Sequence, residues 1–105
     1  MEKQFFHIKL IAPRPSFPFD MNESERAIMN EHIGYWNELT KEGMAVLFGP
    51  VMDPAGPYGL AIVEVNDEAV AKAILENDPT IKSGIGFFIP VGSICKPFLE
   101  YYYYV

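Results

Sequence analysis

The spacing of hydrophobic positions changes several times along the chain, and each change marks an element. Gln4 to Ala12 (QFFHIKLIA) is rich in aromatic and β-branched side chains and stops at Pro13, which predicts a strand. Phe6, Ile8 and Leu10 form one wholly apolar face of it; Phe5, His7, Lys9 and Ile11 form a mixed one. Pro13 to Asp20, with three prolines and two phenylalanines, reads as an ordered, semi-rigid loop. From Asn22 to Gly43 the period becomes helical. Successive helical residues rotate by about 100°, so Ile28, His32, Tyr35, Trp36 and Leu39 share an arc of roughly 100°, and Glu31, Asn37, Glu38 and Lys41 take the solvated side. Asn22 with Glu25 three residues on makes a capping-box-like start in which Asn replaces Ser or Thr, and Gly43 closes the helix.

Met44 to Val51 (MAVLFGPV) is a continuous apolar run short enough for a buried strand, and Asp53 to Tyr58 (DPAGPY) is a turn by composition. Gly59 to Val65 is a third strand. Asp67 caps a second helix over about Glu68 to Asn77, which Asp78-Pro79 ends. Gly86 to Cys95 (GFFIPVGSIC) is a fourth strand whose central Pro90 predicts an edge position or a bulge. The tail Phe98 to Val105, with four consecutive tyrosines, is too aromatic for a soluble disordered end.

The order β-α-β-β-α-β predicts an α+β, ferredoxin-like fold with an antiparallel sheet. Two helices cover one face of such a sheet. Strands two to four are nevertheless apolar at almost every position, without the clean alternation of a sheet with one wet face. The second face needs a cover, and a second copy of the chain is the simplest one. The expectation is a homodimer packed sheet to sheet, with the aromatic tail as an extra seal.

Composition narrows the class. The 105 residues, half of them hydrophobic, suit one domain with a modest core. Fourteen acidic against 8 basic residues give a net charge of -6, and no basic stripe runs along any element, so nucleic acid and anionic membranes are poor partners. The single Cys95 permits no internal disulfide, and no signal-like or membrane-spanning run is present; a reducing, cytoplasmic setting is expected.

Several short motifs, taken in order, resemble the YCII-related family of dimeric α/β-barrel proteins. They are Glu31-His32-Ile33 in the first helix, Gly43 at its end, Phe48-Gly49-Pro50 with Asp53 and Gly56, Asp78-Pro79, and Lys96-Pro97-Phe98. The resemblance implies a homodimeric barrel and a histidine–aspartate dyad, carried here by His32 and Asp78, in a cleft of that barrel. It also implies that most members have no established substrate, while a few resemble a dehydrochlorinase acting on chlorinated hydroxyquinol-type rings. The proline-rich loop and the tyrosine tail depart from shorter members, and both could line or narrow a pocket mouth.

Each candidate has a structural and a functional reading. An imidazole on a buried helical face serves either as a neutral core residue bonded to a carbonyl, packed on Trp36, or as a general acid or base. Asp78 before Pro79 suits the N-cap of a short helix through Lys82; its carboxylate could equally fix the His32 tautomer, one oxygen serving each role. Tyr35, Trp36 and Phe48 are core or interface residues, or the walls of an apolar substrate pocket to which Asp53 adds a polar group; Asp53 otherwise serves its turn. Phe87 and Phe88 are core or interface, and His7 is an exposed or rim residue. The two histidines lack metal-ligand spacing, and Gly84-Ile85-Gly86 lacks the rest of a phosphate-binding loop, so neither a metal nor a cofactor is expected. Two functions follow. One is a cofactor-free lyase- or isomerase-type enzyme in which His32, oriented by Asp78, moves a proton on a small cyclic or aromatic substrate. The other is a ligand-binding or accessory dimer without turnover; a cofactor-independent monooxygenase rests on fold analogy alone.

Overall fold

Local sequence signals start and stop the elements of the computed structural model, which describes residues 3–94. Strand β1 (Gln4–Ile11) is followed by a one-turn helix α1 (Phe17–Asp20) and the long helix α2 (Glu23–Lys41). Strands β2 (Ala45–Val51) and β3 (Tyr58–Val65), helices α3 (Glu68–Glu76) and α4 (Pro79–Ser83), and strand β4 (Phe87–Ile94) complete the order. Cys95, Lys96-Pro97-Phe98 and the tyrosine tail lie outside the described residues, as do the side chains of Phe87 and Phe88.

Asn22 and Glu25 form a reciprocal capping box: the Glu25 backbone N–H donates to Asn22 Oδ1 at 2.8 Å, and the Asn22 N–H donates to Glu25 Oε1 at 2.9 Å. At the other end Gly43 takes φ 83°, a left-handed conformation that costs glycine no Cβ clash, and turns the chain from α2 into β2. The proline-rich segment is ordered, but it is not all loop. Arg14 O and Ser16 O accept the first hydrogen bonds of α1, and Phe17 is buried beneath it.

The sheet has four strands in the order β2-β3-β1-β4, with every neighbouring pair antiparallel, the order a βαββαβ chain gives when each crossover skips one strand. Strand β4 is an edge, and its register against β1 shifts where His7 faces Gly92 and Ile8 faces Pro90. Pro90 thus sits at an edge and beside a bulge, both of which tolerate its missing N–H.

The helices lie on one face. Ile8, Ala45, Ala61, Val63 and Val65 from the sheet pack with Trp36 and Leu39 of α2 and Ala71 and Ile74 of α3 to form the core. Burial along β3 alternates, with Ala61, Val63 and Val65 buried and Leu60, Ile62 and Glu64 half-buried. The alternate residues of β1 and β3, together with Leu47, make a second face that no described helix covers, and Leu47 is 45% exposed. His7 lies half-buried on it.

Candidate active site

The site begins with two residues one helical turn apart. His32 and Trp36 stand at i and i+4 on α2, so their rings project from the same side and meet at a centroid distance of 6.4 Å. Both aim ring N–H groups at one carboxylate. Nδ1 of His32 lies 2.8 Å from Asp78 Oδ2 and 3.0 Å from Oδ1, and the Trp36 indole N–H donates to Oδ2. The partners are 46 residues apart in sequence.

Asp78 is held from its own side by α4. It is the N-cap of that helix: its Oδ1 accepts from the Thr80 backbone N–H at 2.7 Å and from the Thr80 hydroxyl at 2.6 Å, with Pro79 in the first turn. Asp78 therefore caps α4 and meets the His32 ring with the same carboxylate. Burial pushes this carboxyl up, but donors from His32, Thr80 and Trp36 outweigh it and hold Asp78 below the usual carboxylate range. The Asp78 side chain is 0% exposed and the His32 side chain 13% exposed, so solvent reaches the imidazole and not its partner. A carboxylate acceptor at Nδ1 selects the tautomer that carries its proton there, and Nε2 then holds the lone pair.

His32 borders a cavity of about 280 Å³. Phe17 and Met21 of the proline-rich segment, Met29 and Ile33 of α2, and Phe48 and Tyr58 of the strands supply much of its wall. Trp36 also borders it, its ring 6.2 Å from that of Phe48. Apart from His32, no lining residue carries an acidic or basic side chain. The wall is apolar, as pockets for small uncharged molecules are.

Two residues proposed for the pocket lie elsewhere. Tyr35 packs edge-on to Trp36 at 5.9 Å, and its hydroxyl donates to Ile74 O at 2.6 Å; burial pushes the phenol up to about 12, with Asp78 and Glu42 adding to the effect. Asp53 accepts from the Ala55 N–H at 2.8 Å through its side chain, an Asx turn outside the cavity wall. Sequence reasoning missed Thr80 and the polar role of Trp36. A signal for Trp36 was present, because a buried indole N–H needs an acceptor.

The segment that carries Phe17 is tied down by Arg14. The guanidinium forks onto both oxygens of Glu25 at 2.8 Å and bonds Asp20 Oδ1 at 2.8 Å. Arg14, aided by the Asn22 backbone, holds Glu25 down to about 2, and the Ser16 hydroxyl and Arg14 hold Asp20 low as well. Among the described residues no group of three or more His, Cys, Asp or Glu side chains could hold a metal ion. No described helix is long and apolar enough to cross a membrane.

No curated protein matches the chain with significant similarity. The sequence pattern of the YCII-related domain matches residues 6–93, a span that includes His32, Asp78, both long helices and the residues that border the cavity. With most of its length accounted for in this way, the chain belongs to the YCII-related domain family.

Proposed function

We propose that this YCII-related protein is a cofactor-free enzyme that moves a proton on a small cyclic or aromatic substrate, by lyase, dehydrochlorinase or isomerase chemistry. The observation that carries the reading is the placement of one residue: His32 Nδ1 is bonded to a buried carboxylate and His32 borders an apolar cavity. With Nδ1–H committed to Asp78, Nε2 takes a proton from a C–H or O–H of the bound ring, and Asp78 offsets the positive charge that forms. In an isomerisation the proton returns to another atom of the same molecule. In an elimination the electron pair left behind expels a leaving group such as chloride, and the proton passes from His32 to solvent. Neither route needs more than this pair and a pocket that excludes bulk water.

The uncharged wall favours an apolar, uncharged ring that presents one acidic proton to the imidazole. The same reading makes the working unit a homodimer packed sheet to sheet, a dimeric α/β barrel, because the uncovered face carries Leu47, Leu60 and Ile62.

The test is a screen of phenolic and enol-type compounds against the wild-type protein and His32→Ala. Turnover is expected with wild type and a fall of about 10²–10⁴-fold in the folded variant. Equal turnover by the two proteins overturns the assignment. Compounds that bind wild type and not His32→Ala, with no turnover by either, assign the cavity to ligand binding instead.

A further inference from the structure

The Asp78 carboxylate does not serve His32 alone. Besides Nδ1 it accepts three donors: the Trp36 indole N–H on Oδ2, and the Thr80 backbone N–H and hydroxyl on Oδ1 at 2.7 and 2.6 Å. Trp36 and Thr80 are each 1% exposed, so no water competes for these bonds. We propose that Trp36 and Thr80 are positioning residues that set the proton affinity of His32 Nε2 by sharing the carboxylate that faces Nδ1.

The physical argument is one of competition. Each neutral donor draws electron density from the carboxylate and lowers the negative potential left at Nδ1, which is what favours the imidazolium. The same donors hold the carboxylate against the imidazole edge, since Oδ1 is anchored to the first turn of α4 and Oδ2 to α2. Removing one side-chain donor while the others keep the carboxylate in place leaves more charge for His32. The ring then accepts a proton at higher pH. Titratable groups near this cluster include Tyr35, on α2 with its hydroxyl bonded to Ile74 O, and Tyr58, on β3 bordering the cavity, with Lys9 Nζ 4.2 Å from the Tyr58 ring. No Lys or Arg borders the cavity.

The inference rests on the dyad proposed above, but its readout needs no substrate. The His32 imidazole is titrated by NMR in the full chain, with His7→Gln identifying the only other histidine signal. Thr80→Val removes the hydroxyl donor at nearly constant shape, and the His32 titration is expected to move to higher pH than in wild type. Thr80→Ser, which keeps the hydroxyl, is expected to titrate as wild type does. Trp36→Phe is expected to shift in the same direction as Thr80→Val; if that variant does not fold, the Thr80 pair decides. Asp78→Asn is expected to move the titration down. A Thr80→Val protein that folds with an unmoved or lowered His32 titration, while Asp78→Asn shifts it, overturns this inference and leaves the dyad standing. An unmoved titration in Asp78→Asn overturns both.

Discussion

At the scale of single residues, Asp78 concentrates the energetics of the site. It is buried with four donors aimed at it, so truncation strands those donors instead of merely losing a contact. Asp78→Ala is expected to cost about 3–5 kcal/mol in urea unfolding, as removal of one partner of a buried pair does. The pH dependence has a definite sign. The folded carboxyl sits below its ordinary value of 3.8, so its contribution is fully present above that pH and is lost as pH falls through the lower, folded value. Wild-type stability should therefore fall on acidification below pH 3.8, and Asp78→Asn should lose this component; equal acid slopes in the two proteins would contradict it. His32 could be singled out from the sequence because an imidazole within an apolar helical arc must find a partner. The convergence of Trp36 and Thr80 on the same carboxylate could not, because hydrogen bonds between α2 and α4 leave no periodic trace.

Among the elements, the junction between the proline-rich segment and α2 is the most exposed to test. Asn22 closes the capping box, and Asn22→Ala is expected to cost about 1 kcal/mol by thermal or urea unfolding. Arg14 joins that cap to the segment that walls the cavity, so Arg14→Ala should speed proteolytic cleavage within residues 13–21 while the rest of the fold persists. Because Arg14 holds Glu25 near 2 against an ordinary 4.5, the latch is intact above pH 4.5 and loosens as pH falls towards 2. Unchanged cleavage in Arg14→Ala would show that proline stiffness and the burial of Phe17 hold the segment unaided. The order in this segment followed from its prolines; the helix α1 did not. Four residues are too few to display a 3.6-residue period, and Pro18 argues against helix wherever it is not in a first turn.

For the whole molecule, the second face of the sheet, on which Leu47, Leu60 and Ile62 stand among His7, Lys9 and Glu64, is the feature that the single chain does not explain. If a second copy covers it, a lysine placed among its apolar residues adds, beside Lys9, another cation to be desolvated on association and should weaken pairing. Ile62→Lys is expected to sediment as a monomer at concentrations where wild type sediments as a dimer. A wild-type protein that is monomeric in dilute solution would remove the sheet-to-sheet assembly, though not the cavity, which is lined by one chain.

The elements and their order could be read directly from the residues, because strand and helix periods, the Asn22 box, Gly43 and Pro90 act over a few positions each. Strand order followed from connectivity and handedness with little more information. The location of the cavity is another matter. Tyr35 shares the helical arc of Trp36 yet turns to a backbone carbonyl, and Asp53 completes its own turn. Which members of an apolar face pack tightly and which surround a void depends on how α2, α4 and the proline-rich segment meet over the sheet. That meeting is set by contacts between residues far apart in the chain, and no local pattern records them.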